Sequence, residues 1–337
     1  MDGTNSLKFI GLSYNCSVIR KTFARLSTAI LVLLMWTSNS GIASTGADFA
    51  IIYDERSFDS GNLIKGVNNH LQKVNRKLSY NIIDISKLTD ANLKTKLAEQ
   101  YRVLVPVGSD VMLRVIKLGL ATPLFVLDAE RTELKAWHDT SNKVQLWISG
   151  IYRDLKTSLY TLLIKSILPS YNKVGLLLSE KNKFALGQLK REIAKSGLTP
   201  VIKIVRSNEL PQRVLAKLAN EVDVILTLND KLVFNQQNMK SHLLTAFRNQ
   251  VPIISTVNDS TDIGAFAVIN NNYTSLGEQL AATLLTVLAD IKKTPLISHP
   301  DDFTLRLNAN VLRSYGVTNI LQSEVVKVLR SATESKD

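Results

Sequence analysis

The sequence predicts an α/β protein of two lobes, each a doubly wound parallel sheet. The first observation behind this fold class is the stretch 102–128, which has the pattern of a strand, a helix and a strand. Both strands are apolar on every face, as in parallel sheets that helices cover on both sides. The second observation is that the pattern returns about 120 to 130 residues later, at 224–259. We therefore expect one architecture to occur twice.

In the first repeat, apolar runs rich in β-branched residues predict strands, and apolar residues at helical spacing predict helices. The predicted strands are 49–53, 80–85, 103–107 and 124–127. The predicted helices are 61–74, 88–100 and one that begins near Ser109 and stops at Thr122-Pro123. Segment 130–143 is polar and irregular, and 144–152 has the pattern of an apolar strand.

The second repeat begins after a predicted helix at 155–168, which Pro169 ends. Its predicted strands are 174–178, 201–205, 224–228 and 253–257, and its helices are 184–195, 210–220 and one that ends at Arg248. A strand at 264–269, a helix at 276–291, a strand at 303–307, a short helix at 309–315 and a loose tail after Ser331 follow. The chain must therefore cross between lobes more than once. One large Rossmann-like sheet is the alternative, which the helix between the repeats argues against.

The size and charge of the chain agree with a two-lobed globular protein. A chain of 337 residues exceeds the usual size of one domain, and its 45% hydrophobic and 21% charged residues are ordinary proportions. The formal net charge is +12, but the lysines and arginines are spread along the chain and form no basic run with interleaved aromatic residues. We therefore expect a monomer with a solvated cationic surface and no nucleic-acid partner.

The N-terminus has the pattern of an export signal. An apolar stretch at 26–36 lies between a basic segment, 20–25, and the small residues 41–43. Its 11 residues are too few to cross a hydrocarbon core of ~30 Å. We therefore predict a signal peptide over 1–43, cleaved after Ala43, and a periplasmic mature protein. The single cysteine, Cys16, precedes the apolar stretch, so we expect neither a lipid anchor nor disulfides.

Motifs for catalysis are missing from the sequence. It contains no G-x-G-x-x-G or G-x-x-x-x-G-K-[ST] phosphate loop and no G-x-S-x-G nucleophile turn. The histidines lie far apart, with no neighbour at metal-ligand spacing: His70, His138, His242 and His299. We therefore expect no enzyme activity, no metal site and no cofactor.

Polar residues follow the predicted strands of both repeats, at the ends where open parallel sheets bind ligands. They are Asp54, Glu55, Ser109, Asp110, Asp128, Ser179, Asn229, Asp230, Asn258 and Asp259. In a two-lobed protein both sets can face one central cleft. Helix starts would hold a carboxylate there, and an aspartate would hold an ammonium group. For each acid taken singly, a role as a helix cap or turn residue is the alternative.

Several stretches, in this order and spacing, resemble the exported substrate-binding proteins of ABC transporters, which have the type I periplasmic-binding fold. The closer similarity is to the branch of tryptophan- and tyrosine-type binders. The matching stretches are VLVPVGSDVMLRVI (103–116), TPLFVLD (122–128), LPSYNKVGLLLSEKN (168–182), DVILTLNDKLV (223–233), VPIIST (251–256), GAFAVINNNYTSLGEQLA (264–281) and FTLRLNANVLRSYG (303–316). The resemblance implies two lobes joined by three crossovers, and binding rather than catalysis.

Carried over by position, the resemblance implies a set of ligand contacts. Together with the first strand end they are Asp54, Ser109, Asp128, Asn229, Asp230, Gly264 and Tyr273. Two segments depart from the family pattern. The family commonly has Asp-Pro after its fourth strand, where this chain has Asp128-Ala129. It commonly has Gly-Asn-Val-Thr-Gly on entry to the second lobe, where this chain has Leu-Trp-Ile-Ser-Gly at 146–150.

The resulting hypothesis is an exported protein that captures a small polar molecule, such as an amino acid or a related metabolite, and delivers it to an ABC permease. The alternative is a periplasmic sensory or interaction protein of the same fold that reports to a membrane signalling partner. The predicted division is lobe 1 over 44–149 and 267–300, lobe 2 over 150–266 and 301–322, and a C-terminal tail over 323–337.

Overall fold

The computed structural model describes residues 46–98, 101–144, 146–290 and 297–334. The predicted signal peptide, 1–43, lies outside these ranges. Within them, no helix is both long enough and apolar enough to span a bilayer.

The first sheet has five parallel strands: β1 (Phe49–Tyr53), β2 (Tyr80–Asp84), β3 (Val103–Pro106), β4 (Leu124–Ala129) and β5 (Ile148–Tyr152). Their order across the sheet is β2-β1-β3-β4-β5. The helices that connect them are α1 (Gly61–Lys73), α2 (Asp90–Leu97), α3 (Ser109–Lys117) and α4 (Arg131–Val144).

The second sheet has six strands: β6 (Lys173–Ser179), β7 (Thr199–Val205), β8 (Val224–Leu226), β9 (Ile253–Ser255), β10 (Ala267–Asn271) and β11 (Phe303–Leu307). Their order is β11-β10-β9-β8-β6-β7, and only the β10–β11 pair is antiparallel. The helices are α5 (Thr157–Ile167), α6 (Leu186–Lys195), α7 (Pro211–Ala219), α8 (Gln236–Arg248), α9 (Tyr273–Ala289), α10 (Ala309–Ser314) and α11 (Gln322–Glu334), with a 3₁₀ helix at Glu180–Ala185.

Each sheet has a core on both faces because its strands are apolar in both directions. Along β1, Ala50 and Ile52 belong to one buried cluster, whereas Phe49 and Ile51 belong to the cluster on the opposite face. Successive side chains of a strand point to opposite faces, so both faces must be covered by helices. This arrangement confirms the predicted doubly wound lobes.

Helix α9 follows a strand of the second sheet but packs in the first lobe. Its Leu276, Leu280 and Leu284 lie in the same buried cluster as Leu63 and Val67 of α1. Two glycines allow the close approach of these helices. A Cβ atom on Gly66 would lie 1.8 Å from the carbonyl oxygen of Thr274, and one on Gly277 would lie 2.1 Å from that of Leu63.

Three crossings join the lobes, as predicted. Residues 153–156 lead from β5 to α5, and Asn272 leads from β10 to α9. Residues 299–302 lead from Ser298, which pairs with Ile151 of β5, to β11. The three crossings together form the hinge.

Three predictions about the elements need correction. Segment 130–143 is not irregular, because it forms α4. Strand β10 runs to Asn271 in the second sheet, so the second crossing lies after the predicted boundary at 266/267. The predicted tail over 323–337 forms α11 as far as Glu334, since Val325 and Leu329 are buried in the core of the second lobe. The rest of the lobe division stays a prediction.

Candidate functional site

The carboxyl ends of the strands of both sheets meet at a cavity between the lobes. Its empty space is about 490 Å³, part of it open to solvent. The polar wall is formed by Glu130, Arg131, Asp154, Asn182, Asn229 and Asp230. The apolar wall includes Leu155, Tyr160, Leu178, Leu189 and Leu228. Because these residues come from the first lobe, the first crossing and the second lobe, a molecule held here would touch all three.

The lobes are in direct contact at the rim of this cavity. The Lys181 ammonium of the second lobe lies 2.5 Å from the carboxylate of Glu133 in α4. Lys231 of the second lobe lies 3.0 Å from Asp110 in α3. In the wall of the cavity, the Thr132 hydroxyl donates to the amide oxygen of Asn182 at 2.8 Å. These contacts join the two lobes beside the cavity.

Glu130 is the most enclosed carboxylate of the first lobe at the cavity. It follows β4, its backbone N–H donates to the Ser109 hydroxyl at 2.8 Å, and only 7% of the residue is exposed. Burial raises the pKa of its carboxyl, and the nearby charge of Glu133 raises it further.

Asp154 lies in the first crossing and links it to the second lobe. Its carboxylate accepts a hydrogen bond from the Asn229 side-chain amide at 2.9 Å. Burial raises the pKa of Asp154, although this bond and the charge of Arg153 partly offset the rise.

Arg131 is the one arginine in the wall of the cavity, and it faces a carboxylate of the second lobe. Its guanidinium lies 3.4 Å from Glu192 of α6. Burial opposes the ionisation of Glu192, but hydrogen bonds from Thr157 and Gln188 and the charge of Arg131 together hold its pKa below the usual value. Arg131 and Glu192 thus form an ion pair across the lobes.

Two predicted site residues, Asn229 and Asp230, line the cavity. Asp230 does not begin the following helix, as its position after β8 had suggested, because α8 begins at Gln236 and is capped by Asn235. Its carboxylate accepts the backbone N–H groups of Ser179 at 2.7 Å and Leu232 at 3.2 Å. Asp230 therefore ties together the ends of β6 and β8, and its contact with a ligand stays a prediction.

Ser109, Asp128 and Tyr273 lie beside the cavity and make contacts inside the protein. The Ser109 hydroxyl accepts the N–H of Glu130, as described above. The Asp128 carboxylate accepts hydrogen bonds from Arg153 at 3.2 Å, Asn271 at 3.2 Å and the Tyr273 hydroxyl at 3.3 Å. Burial, and then the charge of Asp128, raise the pKa of Tyr273. These residues place Asp128 at the hinge, between the first two crossings.

Asp54 and Gly264 are not in the wall of the cavity. Asp54 accepts the guanidinium of Arg56 at 2.9 Å and 2.5 Å, and this hydrogen bonding lowers the pKa of its carboxyl. Gly264 follows a turn in which the Thr261 carbonyl accepts a hydrogen bond from the side-chain amide of Asn308 at 2.7 Å. Because Asn308 follows the end of β11 that pairs with Ala267, Gly264 lies at the end of β10 away from the hinge.

Residue types alone did not identify Glu130, Arg131 and Asp154. Glu130 and Arg131 come shortly after the predicted strand 124–127, and Asp154 comes shortly after the predicted strand 144–152, so a wider search behind the strand ends would have reached them. Because 130–143 is mostly polar, it was interpreted as irregular, and Glu130 and Arg131 were not selected. The signal that could have identified the helix is Leu134, which is fully buried in α4 and begins an apolar pattern at helical spacing. In the described ranges, no group of three or more histidine, cysteine, aspartate or glutamate side chains is placed to hold a metal ion.

Part of the chain is similar in sequence to a curated protein. The chain is 24% identical over 182 residues to a tyrosine-binding protein of Clostridioides difficile strain R20291, and the match covers 52% of this chain and 51% of that protein. The match thus spans about half the length of this curated relative.

Solved structures show the fold. The ABC domain from Streptococcus pneumonia in complex with L-Trp superposes with a TM-score of 0.57 at 16% identity, covering 84% of this chain and 98% of that one. The ligand-free, open form of a substrate binding protein with adhesive properties from Clostridium difficile gives a TM-score of 0.62 at 16% identity, covering 83% and 98%. The sequence profile of ABC transporter substrate binding proteins matches residues 59–335. The chain therefore belongs to the ABC transporter substrate binding protein family.

Proposed function

We propose that this protein is an exported solute-binding protein that captures a small polar molecule, such as an amino acid or a related metabolite, and delivers it to an ABC permease. The observation that carries the proposal is the cavity between the lobes. Its wall combines Glu130 and Arg131 of the first lobe, Asp154 of the first crossing and Asn229 of the second lobe. A binding protein needs such a site, because a ligand that touches both lobes stabilises the closed form.

The wall of the cavity favours a molecule with a polar end and an apolar body. Charged and amide side chains of both lobes and of the first crossing share the wall with Leu178, Leu189 and Leu228 of the second lobe. An amino acid combines the same two kinds of chemistry. The relative named as a tyrosine-binding protein and the similar structure holding L-Trp support the same class of ligand.

A thermal-shift screen against the common amino acids, followed by calorimetry on each hit, tests capture. We expect at least one solute to raise the midpoint of unfolding as its concentration increases, because binding to the folded state alone stabilises it. X-ray scattering with and without that solute tests closure, and we expect a smaller radius of gyration when it is bound. A screen without any concentration-dependent stabilisation would contradict the proposal.

Export and delivery need separate experiments in cells. N-terminal sequencing of the periplasmic protein should give a start at or near Ser44, and retention of residues 26–36 in the membrane fraction would contradict cleavage. A strain lacking the protein should lose uptake of the identified solute if delivery to a permease is its role. Normal uptake together with a lost response to that solute would favour the sensory alternative.

A further inference from the structure

The cavity between the lobes is richer in carboxylates than in cations. Glu130, Asp154 and Asp230 line it, and Arg131 is the one positively charged residue among the described residues of its wall. An excess of like charge in an enclosed site is unfavourable unless other groups compensate it. The cations around the cavity are the groups that could balance this negative charge.

Each nearby cation has its shortest ion pair with a carboxylate outside this set. Arg131 lies 3.4 Å from Glu192, and Lys181 lies 2.5 Å from Glu133. Arg153 lies 3.2 Å from Asp128, with both side chains largely buried. None of these three carboxylates is in the wall of the cavity. Among the described residues, Glu130 is the one wall carboxylate with a lysine or arginine within ion-pair distance, and that lysine, Lys181, lies closer to Glu133.

The three wall carboxylates differ in what holds them. Asp230 accepts two backbone N–H groups, and Asp154 accepts the Asn229 amide. Glu130 has only the Lys181 ammonium at 3.7 Å, and no hydrogen bond to its carboxylate is found among the described residues. It is more than nine-tenths buried, with 7% of the residue exposed. Glu130 is thus an enclosed carboxylate whose ion-pair partner, Lys181, is shared with Glu133 and lies closer to it.

We propose that the cavity takes a ligand with net positive charge, carried by an ammonium or guanidinium group, and that Glu130 is its principal counter-charge. This inference rests on the proposed function, because it assigns a ligand class to the same cavity. A ligand cation in the cavity would meet carboxylates in its wall, among them those of Glu130 and Asp154. Charge-assisted hydrogen bonds to a carboxylate are stronger than neutral ones, so the gain is specific to a cation.

The raised pKa values of Glu130 and Asp154 agree with this assignment. In both cases burial is the largest cause, and for Glu130 the charge of Glu133 adds to it. A bound cation would favour the ionised forms and reverse these shifts.

Calorimetry with pairs of matched solutes tests the inference without any variant. The pairs are L-arginine against L-citrulline and L-lysine against L-norleucine, in which shape is similar and only one member carries the extra charge. We expect the cation of at least one pair to bind about tenfold or more tightly than its neutral partner, the usual effect of a charged hydrogen bond.

Variants then locate the counter-charge. Glu130→Gln should bring the two affinities of the preferred pair close together, since the amide keeps the shape and removes the charge. Asp139→Asn is the control, because Asp139 lies in the same helix as Arg131, pairs with Lys135 of that helix at 2.8 Å and is not in the wall of the cavity. The control should keep the preference for the cation.

The outcomes separate this inference from the proposed function. If neutral amino acids bind and neither cation exceeds its neutral partner, the ligand class is overturned while the solute-binding function stands. If Glu130→Gln keeps the full preference, the role of Glu130 is overturned. If no solute binds in the wider screen, the proposed function fails and the ligand class fails with it.

Discussion

At the residue scale, Asp128 shows how a predicted ligand contact can also connect the crossings of the hinge, while its contact with a ligand stays a prediction. Its φ of +53° and the shift in register between Leu127 and Ala129 place it at a bulge at the end of β4. The bulge turns its carboxylate towards Arg153 in the first crossing and Tyr273 after the second. Only 4% of the residue is exposed, so these contacts are made inside the protein.

We expect Asp128→Asn to lower the free energy of unfolding by about 3 kcal/mol, because it leaves the Arg153 guanidinium largely buried without its counter-charge. Chemical denaturation measures this loss. Asp54→Asn is the matched control at another strand end of the same lobe, and it should change stability little because the Arg56 partner is exposed. Equal, small losses in both variants would contradict the hinge role of Asp128.

The raised pKa of Glu130 gives a pH dependence with a definite sign. A carboxyl whose pKa is raised by folding favours the folded state when protonated and disfavours it when ionised. Its favourable contribution is complete below the unfolded pKa of ~4.3 and is lost as pH rises through the folded value. Glu130→Gln should therefore raise the free energy of unfolding of the ligand-free protein at pH 7 and have little effect near pH 4. Denaturation at both pH values checks this, and an equal effect at both would contradict it.

At the element scale, the contact between α1 and α9 attaches to the first lobe a helix that follows a strand of the second. The helices approach so closely at Gly66 and Gly277 that backbone carbonyls occupy the space of a side chain. Leucines above and below these glycines complete the buried cluster. This contact therefore decides where the chain goes after the second crossing.

Gly66→Ala should destabilise the protein by about 1–3 kcal/mol, since the added methyl group would overlap the Thr274 carbonyl and the helices would have to separate. Gly187→Ala in α6 is the control for helix propensity. A Cβ atom there meets only the end of the Arg191 side chain at 3.5 Å, so alanine should be neutral or stabilising by up to about 1 kcal/mol. Thermal or chemical denaturation of both variants measures the difference, and a stabilised Gly66→Ala would disprove the close contact.

At the scale of the whole molecule, the two lobes are joined at the rim of the cavity by ion pairs of modest strength. Lys181 and Lys231 reach across the rim to carboxylates of the first lobe, and each lysine side chain is about half exposed. Exposed pairs of this kind contribute roughly 0–1 kcal/mol each, and salt screens them. Such contacts can bias an equilibrium between open and closed forms while leaving it within reach of a ligand.

The double substitution Lys181→Ala with Lys231→Ala should increase the radius of gyration of the ligand-free protein in low salt. High salt should increase the radius of gyration of the unsubstituted protein in the same way. Small-angle X-ray scattering measures both. Lys203→Ala removes an ion pair of 2.7 Å with Glu221 inside the second lobe, and it should leave the radius unchanged. A radius that responds to neither the double substitution nor salt would show that the rim pairs do not hold the cleft shut.

Much of the fold could be predicted from the sequence, because apolar strands and amphipathic helices carry local signals. Strand β1 begins and ends where its apolar run does, and Pro169 follows closely on the end of α5. Helix α4 was missed because its first turns are polar and its buried face is narrow. Helix α11 was missed because its burial depends on a sheet that is distant in sequence, against which Val325 and Leu329 pack.

The sequence by itself determined the two repeats, the positions of the strand ends and the set of polar residues that follow them. Each of these features depends on residues that are close neighbours in the sequence. Only the tertiary structure decided which of those residues meet. Asp128 joins Asn271 from 143 positions away, whereas Asp230 turns to the backbone of Ser179. The partner of a carboxylate depends on which distant donors the fold places beside it. Their positions depend in turn on how the crossings bring the lobes together. The spacing of residues along the chain does not encode these long-range contacts.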